Sequence, residues 1–143
     1  MEDYNRGGHT IYDIKYHVIW VTKYRYKILT KEISVRLRDL IRQGCEARNI
    51  HILQGSVGKE HIHILISCPP SIAPSKIVQY LKGRSSRLIQ EEFPELKKKY
   101  WGQHLWARGY FCGTVGNVTE EIIRNYIASQ GLEKKDEIFK IEE

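Results

Sequence analysis

Three observations in the sequence predict an α+β domain. Two stretches carry apolar residues at helical spacing. Four shorter ones are rich in β-branched and aromatic residues, as strands are. Their order along the chain is strand, helix, strand, strand, helix, strand. A βαββαβ order builds an antiparallel sheet with both helices on one face, the ferredoxin-like or RRM-like split arrangement. A further helix follows near the C-terminus.

Residues 1–10 form a loose arm. Residues 12–22 hold Ile14, Val18, Ile19, Trp20 and Val21 and read as the first strand, with His17 inside it as a structural residue. Lys23-Tyr24-Arg25-Tyr26-Lys27 then interleaves cations with aromatics. This suits phosphate contact with base stacking, and equally a solvated strand end. Thr30 caps a helix to Arg48, with Ile33, Leu37, Leu40 and Ile41 on its inner face. Asn49 ends it, and residues 50–57 form the second strand. Gly58-Lys59 turns the chain into the third, at residues 60–67.

That third strand contains His61-Ile62-His63-Ile64-Leu65-Ile66. Residues two apart in a strand share a face. Ile62, Ile64 and Ile66 therefore point into a core under the helices, and His61 and His63 point to the other side. Two imidazoles on one face are half of a metal site.

Ser75 caps the second long helix, which runs to Glu92 with Ile77, Leu81 and Leu88 inward. Gly83 stands inside it, where glycine costs about 1 kcal/mol relative to alanine. Two reasons suit it: close approach of a DNA backbone, with Lys82, Arg84 and Arg87 on phosphates, or tight packing of the helix on the sheet. The cluster of cations favours the first. Phe93-Pro94 ends the helix, and Lys97, Lys98 and Lys99 extend the basic surface. Residues 109–116 form a glycine-punctuated strand, and the aromatics of 100–106 and 109–116 are mostly core, with some suited to stacking on bases. Asn117 with Glu120 three residues on is an N-cap and capping box. The last helix spans 117–131, stops at Gly131, and carries Ile122, Tyr126 and Gln130 on one stripe. The tail, 132–143, is charged and weakly helical at best.

The 143 residues suit one domain. Lys and Arg outnumber Asp and Glu by 23 to 17, giving a net charge of +6 and a pI of about 9.2. Such a surplus favours a polyanionic partner, nucleic acid first. The three cysteines, Cys45, Cys68 and Cys112, have no zinc or redox spacing, and the odd number suits the reducing cytoplasm. No signal peptide or membrane-spanning run stands out.

Taken together, these residues resemble the single-tyrosine HUH (His-hydrophobic-His) transposases of the insertion sequence 200/605 type. The resemblance runs from His17-Val18-Ile19-Trp20 and Lys23-Tyr24-Arg25 through His61-Ile62-His63. It continues in Leu81-Lys82-Gly83-Arg84-Ser85-Ser86-Arg87, Phe93-Pro94, residues 101–106 and Gly109-Tyr110-Phe111. It closes with residues 115–119 and Tyr126-Ile127-Ala128-Ser129-Gln130. Lys59-Glu60 departs from the family's usual Pro-Asp, and Gly109 from its common Ser. Neither position supplies a ligand or the nucleophile.

The resemblance implies that Tyr126 is the catalytic nucleophile and that His61, His63 and Gln130 bind Mg²⁺ or Mn²⁺. It implies cleavage and rejoining of single-stranded DNA through a 5′-phosphotyrosine, with recognition of hairpins near the element ends. It also implies a homodimer in which the tyrosine helix of one subunit completes the other's histidine site. Lys23, Arg25, Lys82, Arg84, Arg87 and Lys97 to Lys99 are the DNA-binding candidates. The competing readings are a non-enzymatic single-strand-binding module, a related replication initiator or relaxase, and a domesticated hairpin-binding relative. A phosphoesterase with two His-x-Thr/Ser motifs is disfavoured because no second motif is present.

Overall fold

A computed structural model of the chain describes residues 4–100, 104–116, 122, 124, 125 and 127, together with the backbone of residues 137–139. The first elements are two short paired strands, β1 (Asn5–Arg6) and β2 (Ile11–Tyr12). The arm expected at residues 1–10 thus contains half of a small hairpin. Gly7 N–H donates to Thr10 O and closes it. Its strands are too short to show any alternation in sequence.

The main sheet is built from β3 (Lys15–Val21), β4 (His51–Val57), β5 (His61–Ser67), β6 (Phe111–Thr114) and β7 (Glu137–Phe139). Its order is β6-β3-β5-β4-β7, with every neighbouring pair antiparallel. The first four strands reproduce the order expected of a βαββαβ chain. β7 corrects the reading of the tail, because residues 137–139 pair with the edge of β4 instead of tending to helix.

Helix α1 (Lys31–Ala47) begins at Thr30, whose side chain accepts a hydrogen bond from Ile33 N–H. Asn49 leaves the helix with a φ of 57°, in the left-handed region that asparagine tolerates. Helix α2 (Pro74–Glu92) is capped by Ala73 and not by Ser75. Pro74 takes the first helical position, where its fixed φ fits and no N–H is missed.

Both helices pack on one face of the sheet. The main core joins Ile33, Leu37, Leu40 and Ile41 of α1, Ile77, Val78, Leu81 and Ile89 of α2, and the strand residues Val18, Trp20, Ile62, Ile64 and Ile66. Tyr100, Leu105 and Trp106 close its end. Alternation then sends His61, His63 and Leu65 to the opposite face, as expected. Among the described residues, no helix is long and apolar enough to cross a membrane.

Candidate active site and nucleic-acid interface

The face away from α1 and α2 carries three histidines. His17, Ile19 and Val21 of β3 stand opposite Leu65, His63 and His61 of β5. Facing residues of an antiparallel pair share a side of the sheet, so His17 joins the other two. The His61 and His63 rings lie 4.9 Å apart, and His17 meets His63 edge-on at 5.7 Å. His63 is buried, while His61 and His17 are partly exposed. Phe111 of β6 packs edge-on against His17 from the other side. Burial holds the His17 imidazole below its ordinary pKa, so its neutral form is favoured.

The His61 ring is seated by a glycine. A Cβ on Gly58 would come within 2.3 Å of His61 Cε1 and 2.7 Å of its Nε2. The Gly58 N–H donates to His61 O across the turn at 2.9 Å. The turn therefore lies against the imidazole, and only glycine leaves room for it. The Glu60 carboxylate stands 3.9 Å from His61 Nδ1.

The two rings fit a shared ion in spacing. With a metal–nitrogen bond of about 2.1 Å and a ring radius of about 1.1 Å, two imidazoles on one ion keep their centres about 4.5–5.2 Å apart. The 4.9 Å separation lies in that range. Among the described residues, no group of three or more His, Cys, Asp or Glu side chains could hold a metal. Of the three histidines on this face, His61 and His63 are the pair with that spacing. Gln130, expected as the third, and Tyr126, expected as the nucleophile, both lie outside the described residues. So does the expected cap at Asn117.

What is described of the last helix is helical at Ile122, Arg124, Asn125 and Ile127. Ile127 is fully buried and clusters with Leu65 and Val115, with Leu53 packed beside them. Leu65 is two residues from His63 on the same face. The residue next to Tyr126 therefore sits on the histidine side of this chain's own sheet.

The expected DNA contacts divide into two groups. Lys82 Nζ donates to Ala107 O at 2.8 Å and to Gly109 O at 2.9 Å, and burial lowers its pKa. Ser85 Oγ accepts from Trp106 Nε1 at 3.0 Å, and Ser86 Oγ from Leu105 N–H at 3.4 Å. The motif at 81–87 is thus a clasp for residues 105–109. Arg84 donates to Leu40 O at 2.6 Å and ties α2 to α1. Lys82 and Arg84 have structural partners, which sequence spacing did not reveal.

Arg87, Lys97, Lys98 and Lys99 remain exposed. Arg87 and Lys97 line a groove of about 550 Å³ with Gly83, His104 and Arg108. His104 and Arg108 were not among the sequence candidates, although His104 lies within the 101–106 stretch of the resemblance. A Cβ on Gly83 would meet nothing within 4 Å. Tight packing on the sheet therefore does not account for this glycine. Lys23 and Arg25 fall in a 3-10 turn just after β3, beside two exposed tyrosines.

The comparisons with known proteins agree with one another. The family model described as "Transposase IS200 like" matches residues 10–130. A transposase for insertion sequence element IS200 from Salmonella typhimurium is 37% identical over 135 residues, 94% of this chain and 88% of that protein. The ISDra2 transposase TnpA of Deinococcus radiodurans is 35% identical over 125 residues, 87% of this chain and 89% of that one. Among solved structures, a candidate transposase from Deinococcus radiodurans superposes with a TM-score of 0.73 at 32% identity, covering 88% of this chain and 97% of the other. A REP-associated tyrosine transposase bound to a REP hairpin has the same fold, with a TM-score of 0.65 at 18% identity over 93% of this chain and 74% of that one.

Proposed function

This chain belongs to the IS200-like transposases, and from that premise we propose that it cleaves and rejoins single-stranded DNA with Tyr126 as nucleophile. The observation that carries the reading is the pairing of two features on one sheet face. His61 and His63 sit side by side, and Ile127 brings the last helix onto the same face.

In the proposed reaction the Tyr126 oxygen attacks a phosphorus of the strand. The bond from phosphorus to the 3′ oxygen breaks, leaving a 5′-phosphotyrosine and a free 3′-OH. The phenol loses its proton as the new bond forms, and the departing 3′ oxygen gains one. A phosphotyrosine keeps a reactive ester, so the 3′-OH of another strand can reverse the step and join DNA without ATP. Tyr126 and Gln130 are one helical turn apart, which would hold nucleophile and amide on one side of the helix. His61, His63 and Gln130 would hold Mg²⁺ or Mn²⁺, which when bound withdraws charge from the scissile phosphate. Neutral imidazoles are required for that.

The DNA partner is proposed to be a hairpin with single-stranded flanks. The hairpin bound by the REP-associated relative supports this, as does the groove bearing Arg87, Lys97 and Arg108. A homodimer is also proposed, with the tyrosine helices exchanged or, as the seat of Ile127 on Leu65 of its own chain favours, held in cis. Mixing Tyr126→Phe with His61→Ala protomers restores cleavage if the helices are exchanged. No rescue favours the arrangement in which Ile127 stays on its own sheet.

The deciding experiment is a denaturing gel of single-stranded element ends incubated with protein and Mg²⁺. A covalent protein–DNA adduct is expected, absent from Tyr126→Phe and reduced in His61→Ala. An adduct that persists in Tyr126→Phe overturns the nucleophile. Undiminished cleavage in chelator removes the metal.

A further inference from the structure

Three tyrosines form a chain of tilted rings just past the end of β3, with interplanar angles of 48° and 37°. The rings of Tyr24 and Tyr26 are 5.3 Å apart, and those of Tyr26 and Tyr100 5.6 Å apart. Tyr100 is buried at the base of this cluster, while Tyr24 and Tyr26 are 61% and 44% exposed. Lys23 Nζ lies 5.3 Å from the centre of the Tyr24 ring. Lys27 and Lys99 line a hollow of about 470 Å³ with Tyr26. Arg25 is exposed between the two outer rings in sequence.

The backbone that presents these rings is strained and firmly held. Tyr24 has a φ of 61° and Arg25 one of 53°, the left-handed region that suits glycine. The turn is fixed from several sides. Thr22 N–H donates to Glu60 O, Lys23 N–H to Leu105 O, and the buried Thr22 hydroxyl to Tyr26 O at 2.7 Å. A glycine at position 24 would relieve the strain, and the exposed tyrosine ring adds little to the core. Folding alone therefore does not explain an aromatic side chain there.

Its position relates it to the His61 end of β5, where Tyr100 joins it to the main core. Val21 pairs with His61, so Tyr24 follows three residues later, at most about 11 Å along an extended chain. We propose that Tyr24 and Tyr26 form a stacking platform for unpaired nucleobases of the DNA strand flanking the cleaved phosphate, with Lys23, Arg25, Lys27 and Lys99 along the sugar–phosphate backbone. Every base has a π face, so such a platform takes single-stranded DNA with little sequence preference. Duplex DNA hides those faces and does not fit it. The inference rests on the single-strand reading above.

The test uses the full chain carrying Tyr126→Phe, so that binding is read without cleavage. Its probes are a fluorescent oligothymidine and an abasic strand of equal length. The platform predicts tighter binding of the strand with bases. Tyr24→Ala with Tyr26→Ala weakens that binding about five- to a hundredfold and leaves the abasic strand unchanged. Tyr24→Trp retains the preference. Tyr24→Gly raises the melting temperature yet loses affinity for the oligothymidine, separating binding from folding. Equal binding of both strands by the parent, or a double variant that binds oligothymidine as the parent does, overturns the platform. Adduct formation by the chain with native Tyr126 is read separately. Adduct without stacking overturns only the platform, and stacking without adduct overturns only the transposase chemistry.

Discussion

Gly58 shows how one missing side chain sets the position of a reactive one. Its place in the turn before β5 leaves the His61 ring room that any Cβ would take, at 2.3 Å from Cε1. Gly58→Ala must swing the imidazole out of its seat, since the clash is with the ring and the turn itself can stay. The expected result is a clear loss of Mn²⁺ affinity with a small change in melting temperature, measured by titration calorimetry and thermal melts. Unchanged Mn²⁺ affinity would remove Gly58 from the account of the site. Tyr100 poses a different residue-scale question. Its phenol oxygen is buried without a hydrogen-bond partner, and burial, with Tyr26 adding, pushes its pKa from 10.0 up to about 12. The unfolded chain releases that proton near pH 10 while the folded chain keeps it. Its contribution is therefore complete below pH 10 and is lost as pH rises towards 12. Tyr100→Phe should be neutral or stabilising at pH 7 and should flatten the decline above pH 10. Urea midpoints at both pH values check this. Cys68, also pushed up to about 12 by burial, preserves part of the decline.

At the scale of elements, α2 does two jobs that its sequence merged into one. The basic motif at 82–87 suggested phosphate ligands, yet Lys82 holds the carbonyls of Ala107 and Gly109, 25 and 27 residues away. No spacing rule announces such partners, because a cation's neighbours depend on how distant segments fold together. Lys82→Met should destabilise the fold by about 1–3 kcal/mol, since two carbonyls lose a charged donor. Arg87→Ala touches only an exposed pairing with Glu91 at 3.8 Å and should leave stability within about 0.5 kcal/mol. It should instead weaken hairpin binding and lower the salt slope by about one, if Arg87 meets a phosphate. Denaturant curves and salt titrations separate the two variants, and equal effects would erase the division. The elements that were legible in sequence share one property, namely a long apolar pattern. Thr30 to Ala47 and the isoleucines of β5 show it. β1, β2 and β7 have two or three residues each and exist through pairing, so no periodicity could reveal them. Ala73 rather than Ser75 caps α2 because Pro74 fixes the first turn, a local effect that outweighs the usual preference for serine.

For the whole molecule, the sheet divides the chain into a face that folds it and a face proposed to act. Strand alternation made this division legible, because one slip of register would exchange His61 and His63 for isoleucines. The identity of what covers the histidine face was legible only as the sole remaining helix, and Ile127 on Leu65 gives that cover a physical contact. Among the described residues, the buried members of the main core run from Val18 to Trp106. The smaller cluster needs Ile127 together with Leu65 and Val115. Among the described residues, a chain ended after Gly116 therefore keeps the members of the main core and both helices, and loses buried Ile127 and the packing of β7 on β4 and α1. Removing a buried isoleucine costs about 2–5 kcal/mol, enough to lower the melting temperature without abolishing a core of this extent. The shortened chain is expected to retain cooperative unfolding by circular dichroism and to bind a hairpin through the α2 groove. It should form no adduct, because Tyr126 is gone. A shortened chain with no cooperative transition would mean that the last helix belongs to the folding core, and the two faces would then not be separable.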